Sequence, residues 1–187
     1  MRQFWVILAI SLFAVAAAAQ PPSAKRTQRK ARAWVRPPIP AEHWHEDSKR
    51  TLAQAMVGEA AWHRPDHVAI AWVLARRWKR YYRVHQDRDP MDFTSFIRRY
   101  SSPLKQKHKR ALWVQSLPWR DVEAPYSRHW RKVRNLVETW GEGRVGDPCP
   151  RADHWGGTMD RPVTTMSPVH CGPTRNIFYR APVRGRS

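Results

Sequence analysis

Cysteine is nearly absent from this chain: Cys149 and Cys171 are the only two in 187 residues. One disulfide is therefore the most that covalent cross-linking can supply. Acidic residues are also scarce, 15 against 34 Lys and Arg, and the resulting charge of +19 points away from cationic partners and toward a polyanion. No internal repeat occurs, which excludes a repeat architecture. Beyond the first residues no apolar run approaches the roughly 20 residues needed to cross a bilayer.

The chain opens with a positive charge at Arg2, an almost wholly apolar stretch over residues 4–15, and small residues at Ala16, Ala17, Ala18 and Ala19. This pattern predicts a secretory signal peptide over residues 1–19, cleaved after Ala19. The mature protein is then expected in the periplasm or outside the cell, with no transmembrane segment. Loss of Arg2 lowers the charge from +19 to +18. Nucleic acid is the usual partner of so basic a chain, and Arg76, Arg77, Trp78, Lys79, Arg80, Tyr81, Tyr82 and Arg83 interleave cations with aromatics as single-strand binders do. Export argues against nucleic acid and for peptidoglycan and the other anionic polymers of a cell envelope.

Residues 20–41 are basic and proline-rich, with Lys25, Arg26, Arg29 and Lys30 among Pro21, Pro22, Pro37, Pro38 and Pro40, and are expected to form an extended tether. Residues 42–187 suit one compact, monomeric domain. Its patterns are mainly helical. Leu52, Met56 and Ala60 mark one face of a first helix; Pro65 opens a second, apolar nearly all round through Val68, Ala69, Ala71, Trp72, Val73 and Ala75, and so expected to be the buried central helix. A third helix is expected from Asp89 and Pro90 through Phe93, Phe96 and Ile97, and a fourth over residues 105–117. Trp130, Val133, Val137 and Trp140 define a fifth between Ser127, a candidate N-cap, and Gly141, a candidate stop. Residues 146–173 read as a loop stapled by the two cysteines, and Ile177, Phe178, Tyr179 and Arg180 as a short terminal strand. A bridge over that separation is worth about 3 kcal/mol in the chain-entropy model.

Two places carry candidate chemistry. Glu59 interrupts the apolar pattern of the first helix, flanked by Gly58 and Ala60. A glutamate drawn into an apolar setting without a partner favours its protonated form, which a general acid requires; the alternative is a solvated or ion-paired residue at a helix end. The second is the cluster Asp153, His154, Trp155, Gly156, Gly157 and Asp160, where glycines permit close backbone approach and an indole offers a flat face to a sugar ring. The alternative there is a stapled turn around a core tryptophan.

Val57, Gly58, Glu59 and Ala60, followed by Val68, Ala69, Ile70 and Ala71, resemble the opening of the SleB-type cell-wall hydrolases, whose spore-cortex members are lytic transglycosylases with a lysozyme-like fold. Gly146, Asp147, Pro148 and Cys149, then Ala152, Asp153, His154 and Trp155, then Arg175, Asn176, Ile177, Phe178, Tyr179 and Arg180 resemble, in order, the family's Asp-Pro turn, its Ala-Thr-His-Phe-like motif and its closing Phe-Tyr-Arg strand. The resemblance implies a mainly α, lysozyme-like domain. It also implies cleavage of the β-1,4 bond between N-acetylmuramic acid and N-acetylglucosamine, with Glu59 as the catalytic acid. The candidate substrate-binding residues are His154, Trp155, Gly156 and Tyr179. Two departures stand out: Arg76 precedes Arg77 where the family commonly has asparagine, and the loop between Glu59 and Val68 is about one residue shorter.

Glycosidases that add water use two carboxylates, and here only Asp153 and Asp160 offer themselves as a second. A transglycosylase dispenses with it by using the substrate's own hydroxyl. No cofactor or metal is expected. The competing readings are a zinc enzyme built from Cys149, His154, His170 and Cys171, whose spacing is not a standard one, and a non-catalytic wall-binding module. The disulfide reading predicts that mass spectrometry of the exported, non-reduced protein detects no alkylatable thiol; two modified cysteines would restore the metal reading.

Overall fold

Glu46–Ala60 forms α1, and its start is fixed by a reciprocal cap: Ser48 N–H donates to His45 Nδ1 at 3.4 Å while His45 N–H donates to Ser48 Oγ at 2.9 Å. Glu46 and Asp47 add negative charge at the positive end of the helix dipole. The computed structural model describes residues 36–120, 126–156 and 165–182; the expected leader (1–19), residues 20–35 of the tether, Gly157 and Asp160 lie outside them. No described helix is long and apolar enough to cross a membrane.

The fold is mainly α, with α2 (Arg64–His85), α3 (Phe93–Tyr100), α4 (Lys109–Ser116) and α5 (Ser127–Gly141) following α1. Residues 69–75 of α2 are buried on every side, as its apolar composition requires. Residues 51–57 of α1 are buried as well, and α1 contacts each of the other four α-helices. Trp72, Trp130 and Trp140, spaced as core residues, are all buried.

Several boundaries move from their sequence positions because local side chains outcompete proline and glycine as punctuation. α3 begins at Phe93 rather than at Asp89, because Asp92 Oδ1 accepts from Ser95 N–H at 2.6 Å while Asp89 has left-handed backbone (φ 55°). α4 begins at Lys109, capped by His108 Nδ1, after a separate turn of 3-10 helix at Ser102–Leu104. Ser127 is the first helical residue of α5, not its cap. That helix stops at Gly143 (φ 79°): Gly143 N–H returns to Trp140 O and Arg144 N–H to Thr139 O, the paired closure that a left-handed glycine allows. Gly141 has a different task, since a Cβ there would lie 2.6 Å from the Trp44 indole.

The carboxyl-terminal region holds β1 (His154–Gly156), β2 (Ser167–Val169) and β3 (Ile177–Arg180) in one antiparallel sheet of order β1-β3-β2, with His154 opposite Tyr179 and Trp155 opposite Phe178. The expected terminal strand is thus the middle strand of three. Cys149 and Cys171 form a disulfide with Cα atoms 4.9 Å apart, closing the loop that contains β1 and β2. Two further ties dock this region on α2. Arg76 pairs with Asp147 through Nη1 and donates from Nη2 to Cys149 O at 2.8 Å and Ala152 O at 2.7 Å. Asp66, buried in the first turn of α2, accepts from the backbone N–H of Arg175 at 3.0 Å and Asn176 at 3.1 Å.

Between α1 and α2 the chain turns at Ala61, whose φ of 49° is rare for a residue with a Cβ. Ala61 O is held by the buried His67, with Nε2 at 2.7 Å. Burial pushes the His67 imidazole down to about 4, so it is neutral in the fold and, below the unfolded value of 6.5, takes up a proton on unfolding. Its contribution to stability is complete above pH 6.5 and is lost as pH falls through about 4. Denaturant unfolding of wild type against His67→Gln should show a stability difference that shrinks by roughly 1 kcal/mol per pH unit across that window. Parallel pH profiles would mean that His67 does not carry this dependence.

Candidate functional site

Glu59 occupies the last turn of α1, at the negative end of the helix dipole, where an ionised carboxylate is opposed by the unpaired carbonyls. Donors from two other parts of the chain offset that. Ser101 Oγ and Ser102 N–H donate to Oε1 at 3.0 and 3.2 Å, and Trp155 Nε1 donates to Oε2 at 3.2 Å. Glu59 is half-buried. The Ser101 hydroxyl can rotate to accept instead of donate, so the same partners accommodate a carboxylate or a carboxylic acid.

The geometry depends on Gly58. A Cβ at that position would lie 2.4 Å from Pro103 Cβ and 2.8 Å from Pro103 Cγ. The bare helix surface therefore lets the Ser102–Leu104 turn lie directly against α1 and brings Ser101 and Ser102 to Glu59. Ser101 is itself fully buried, its N–H closing α3 on Ile97 O at 2.8 Å. Neither serine stands out in the sequence; the one local signal is a Ser-Ser-Pro run directly after a strongly amphipathic helix. Asp66 was equally silent, an acid in the first turn of an apolar helix, where dipole complementarity alone accounts for it.

Of the residues singled out by sequence, Glu59 and Trp155 are brought into hydrogen-bonding contact. His154 and Tyr179 are not brought to the carboxylate. Side chains alternate along a strand, and directly paired residues share a face. His154 and its partner Tyr179 accordingly lie on the face of the sheet opposite Trp155 and Phe178. Tyr179 is buried, while His154 borders a cavity of about 310 Å³ lined also by Arg77, Phe96 and Tyr100. Burial, and then the Arg77 guanidinium, push the His154 pKa below its ordinary value. Its Nδ1 is buried without a hydrogen-bond partner among the described residues. Gly156 follows on the same strand and is half-buried.

Asp153 is engaged elsewhere, accepting from Arg80 Nη2 at 2.6 Å and Ala181 N–H at 3.3 Å. The basic-aromatic run of α2 is also largely spent on the fold. Arg76 and Arg80 pair with Asp147 and Asp153, Arg77 lies 4.8 Å over the Tyr100 ring, and Trp78 is buried. Burial lowers the pKa of Arg76 and Arg77 and raises that of Asp147. Arg76 thus acts as the clamp on the Asp147 turn. The sulfurs of Cys149 and Cys171 are bonded to each other and offer no thiolate to a metal. Among the described residues no three His, Cys, Asp or Glu side chains are gathered as a metal site requires.

Comparison of the chain with family models, with curated proteins and with solved structures found no match.

Alanine at position 58 gains about 1 kcal/mol of helix propensity but must push Pro103 aside, an overpacking cost of about 1–3 kcal/mol. Gly58→Ala should therefore lower the melting temperature and shift the Trp155 indole proton resonance as the Glu59 partners separate. A raised melting temperature with an unmoved resonance would show that the close approach of Pro103 is not a constraint.

Proposed function

We propose that this protein is a SleB-type, lysozyme-like enzyme of the periplasm or cell exterior that cleaves the β-1,4 bond between N-acetylmuramic acid and N-acetylglucosamine in peptidoglycan by lytic transglycosylation. The observation that carries this reading is the setting of Glu59: a carboxyl group at a helix end, gripped by Ser101, Ser102 and Trp155, while Asp153, the second candidate acid among the described residues, is committed to Arg80. The order of the short motifs along the chain, the disulfide and the leader-like amino terminus support it.

In this reading Glu59 first gives its proton to the glycosidic oxygen, and the bond from that oxygen to the muramoyl anomeric carbon breaks. The carboxylate, stabilised by the N–H groups of Ser102 and Trp155, then takes the proton of the muramoyl 6-hydroxyl as that oxygen bonds to the anomeric carbon. The product is a 1,6-anhydro sugar, no water is consumed, and Glu59 regains its proton. One carboxyl group serves as acid and then as base. The intramolecular hydroxyl needs no second carboxylate to hold a water, because its effective concentration is already high.

Glu59→Gln tests the reading directly. Release of anhydro-muropeptides from purified sacculi should fall at least about 100-fold, the usual worth of acid–base catalysis. The glutamine amide must oppose an N–H donor on one side, a penalty of about 1–2 kcal/mol, so the melting temperature should move by only a few degrees. Near-normal release removes Glu59 from the mechanism, and absence of release by wild type favours the non-catalytic wall-binding module.

A further inference from the structure

Behind α1 lies a second concave surface that the chemistry at Glu59 does not use. It is lined by Val57, two residues before Glu59 on α1, and by Ala61 in the turn that follows the helix. At 100° per residue, two steps along a helix turn a side chain to its far side, so the Val57 side of this surface faces away from the carboxylate. Trp62 lies at its centre. The Trp62 and Tyr126 rings stack with centroids 5.9 Å apart at 23°, and Trp113 meets both edge-on at 6.2 and 5.5 Å. Tyr126 is 46% exposed, so the cluster opens to solvent.

Trp62 lines two cavities at once, of about 550 and 610 Å³. Lys109 and Arg110 border the first, and Arg64 and Lys132 the second. All four are exposed, and no acidic residue is among those described around either cavity. Each cavity is of the size that takes a small ligand, and two joined through one indole suit consecutive units of a polymer. Aromatic rings present flat apolar faces to the C–H side of pyranose rings, and cations at the rim of both chambers require negative charge along the same strand.

We propose that this surface is a second binding site, for a strand of anionic polysaccharide carrying carboxylate or phosphate groups, and that it holds the polymer independently of Glu59. Single-stranded nucleic acid, the other polymer that cations and aromatics attract, stacks its bases on open ring faces. That polymer is a cytoplasmic one, whereas the disulfide fits an oxidising compartment.

The test uses the full mature chain carrying Glu59→Gln, so that affinity is read without digestion and stands apart from the outcome at Glu59. Binding to purified sacculi is measured by co-sedimentation, alone and with either Lys109→Gln/Arg110→Gln or Tyr126→Ala added. These three residues are exposed, and circular dichroism checks that each variant is folded. The charge variant should lose about fivefold in affinity at 0.1 M salt and almost nothing relative to its parent at 1 M, where the Debye length falls to about 3 Å. Tyr126→Ala should lose a similar factor at both salt concentrations. Sacculi stripped of phosphate polymers separate the two sources of charge: binding that survives assigns wall carboxylates and binding that is lost assigns phosphates, either of which supports the site. Unchanged affinity in both variants overturns it, as does tighter, variant-sensitive binding of a thymidine oligonucleotide than of sacculi.

Discussion

The burial of α1 on all sides is the constraint from which the rest of the architecture follows. Residues 51–57 are all buried and α1 meets each of the other four α-helices, so this stretch is built of apolar side chains, the larger at Leu52, Met56 and Val57 and the small ones at Ala53 and Ala55, with Thr51 and Gln54 among them. Of these two polar residues Gln54 is the larger, and it is tolerated because its amide donates to Gln115 O at 2.9 Å and Leu117 O at 2.8 Å, ending α4 against α1. Gly58 continues the logic by letting a turn, rather than a side chain, fill the next contact. Glu59 comes directly after this dry segment, which is why a carboxylate can be half-buried there and still reach donors from elsewhere.

A second layer of organisation fixes the carboxyl-terminal region, whose three short strands have little core of their own. The disulfide limits the loop, Arg76 gathers two carbonyls and a carboxylate, and Asp66 anchors the approach to β3. The Arg76 and Asp66 ties are partly or wholly buried, so breaking either would leave the other partner as an uncompensated polar group. Together they carry Trp155 to Glu59 across 96 residues of sequence. The indole is thus a positioned donor as much as an apolar surface, a role its loop-like surroundings in the sequence did not reveal.

The charge of the chain divides into two populations. Arg76, Arg77 and Arg80 are consumed internally, by ion pairs or by stacking on a ring, although their spacing with Trp78, Tyr81 and Tyr82 suggests a nucleic-acid surface. Lys109, Arg110, Arg64 and Lys132, spread over three helices, are exposed around an aromatic cluster drawn from the turn after α1 (Trp62), α4 (Trp113) and the residue before α5 (Tyr126). Basic composition was visible at once. Which cations face outward depends on helix azimuth and on where the few acids fall.

The sequence by itself determined the helical class, the buried faces of α1, α2 and α5, the single disulfide and the oddity of Glu59, because periodicity, cysteine count and a charge among apolar residues are local properties of the chain. It misplaced the starts of α3 and α4, where the Asp92 and His108 caps prevailed over Pro90 and the pattern from residue 105, since capping depends on a side-chain hydrogen bond a few residues away. It grouped His154, Trp155 and Tyr179 by proximity in the chain, whereas strand alternation divides them between two faces of a sheet. Only the tertiary structure decided what surrounds Glu59. Ser101 and Ser102 reach it because Gly58 admits Pro103 against α1, and Trp155 reaches it because the stapled sheet is docked on α2. Both are packing relations between segments far apart in sequence, and no local pattern encodes them.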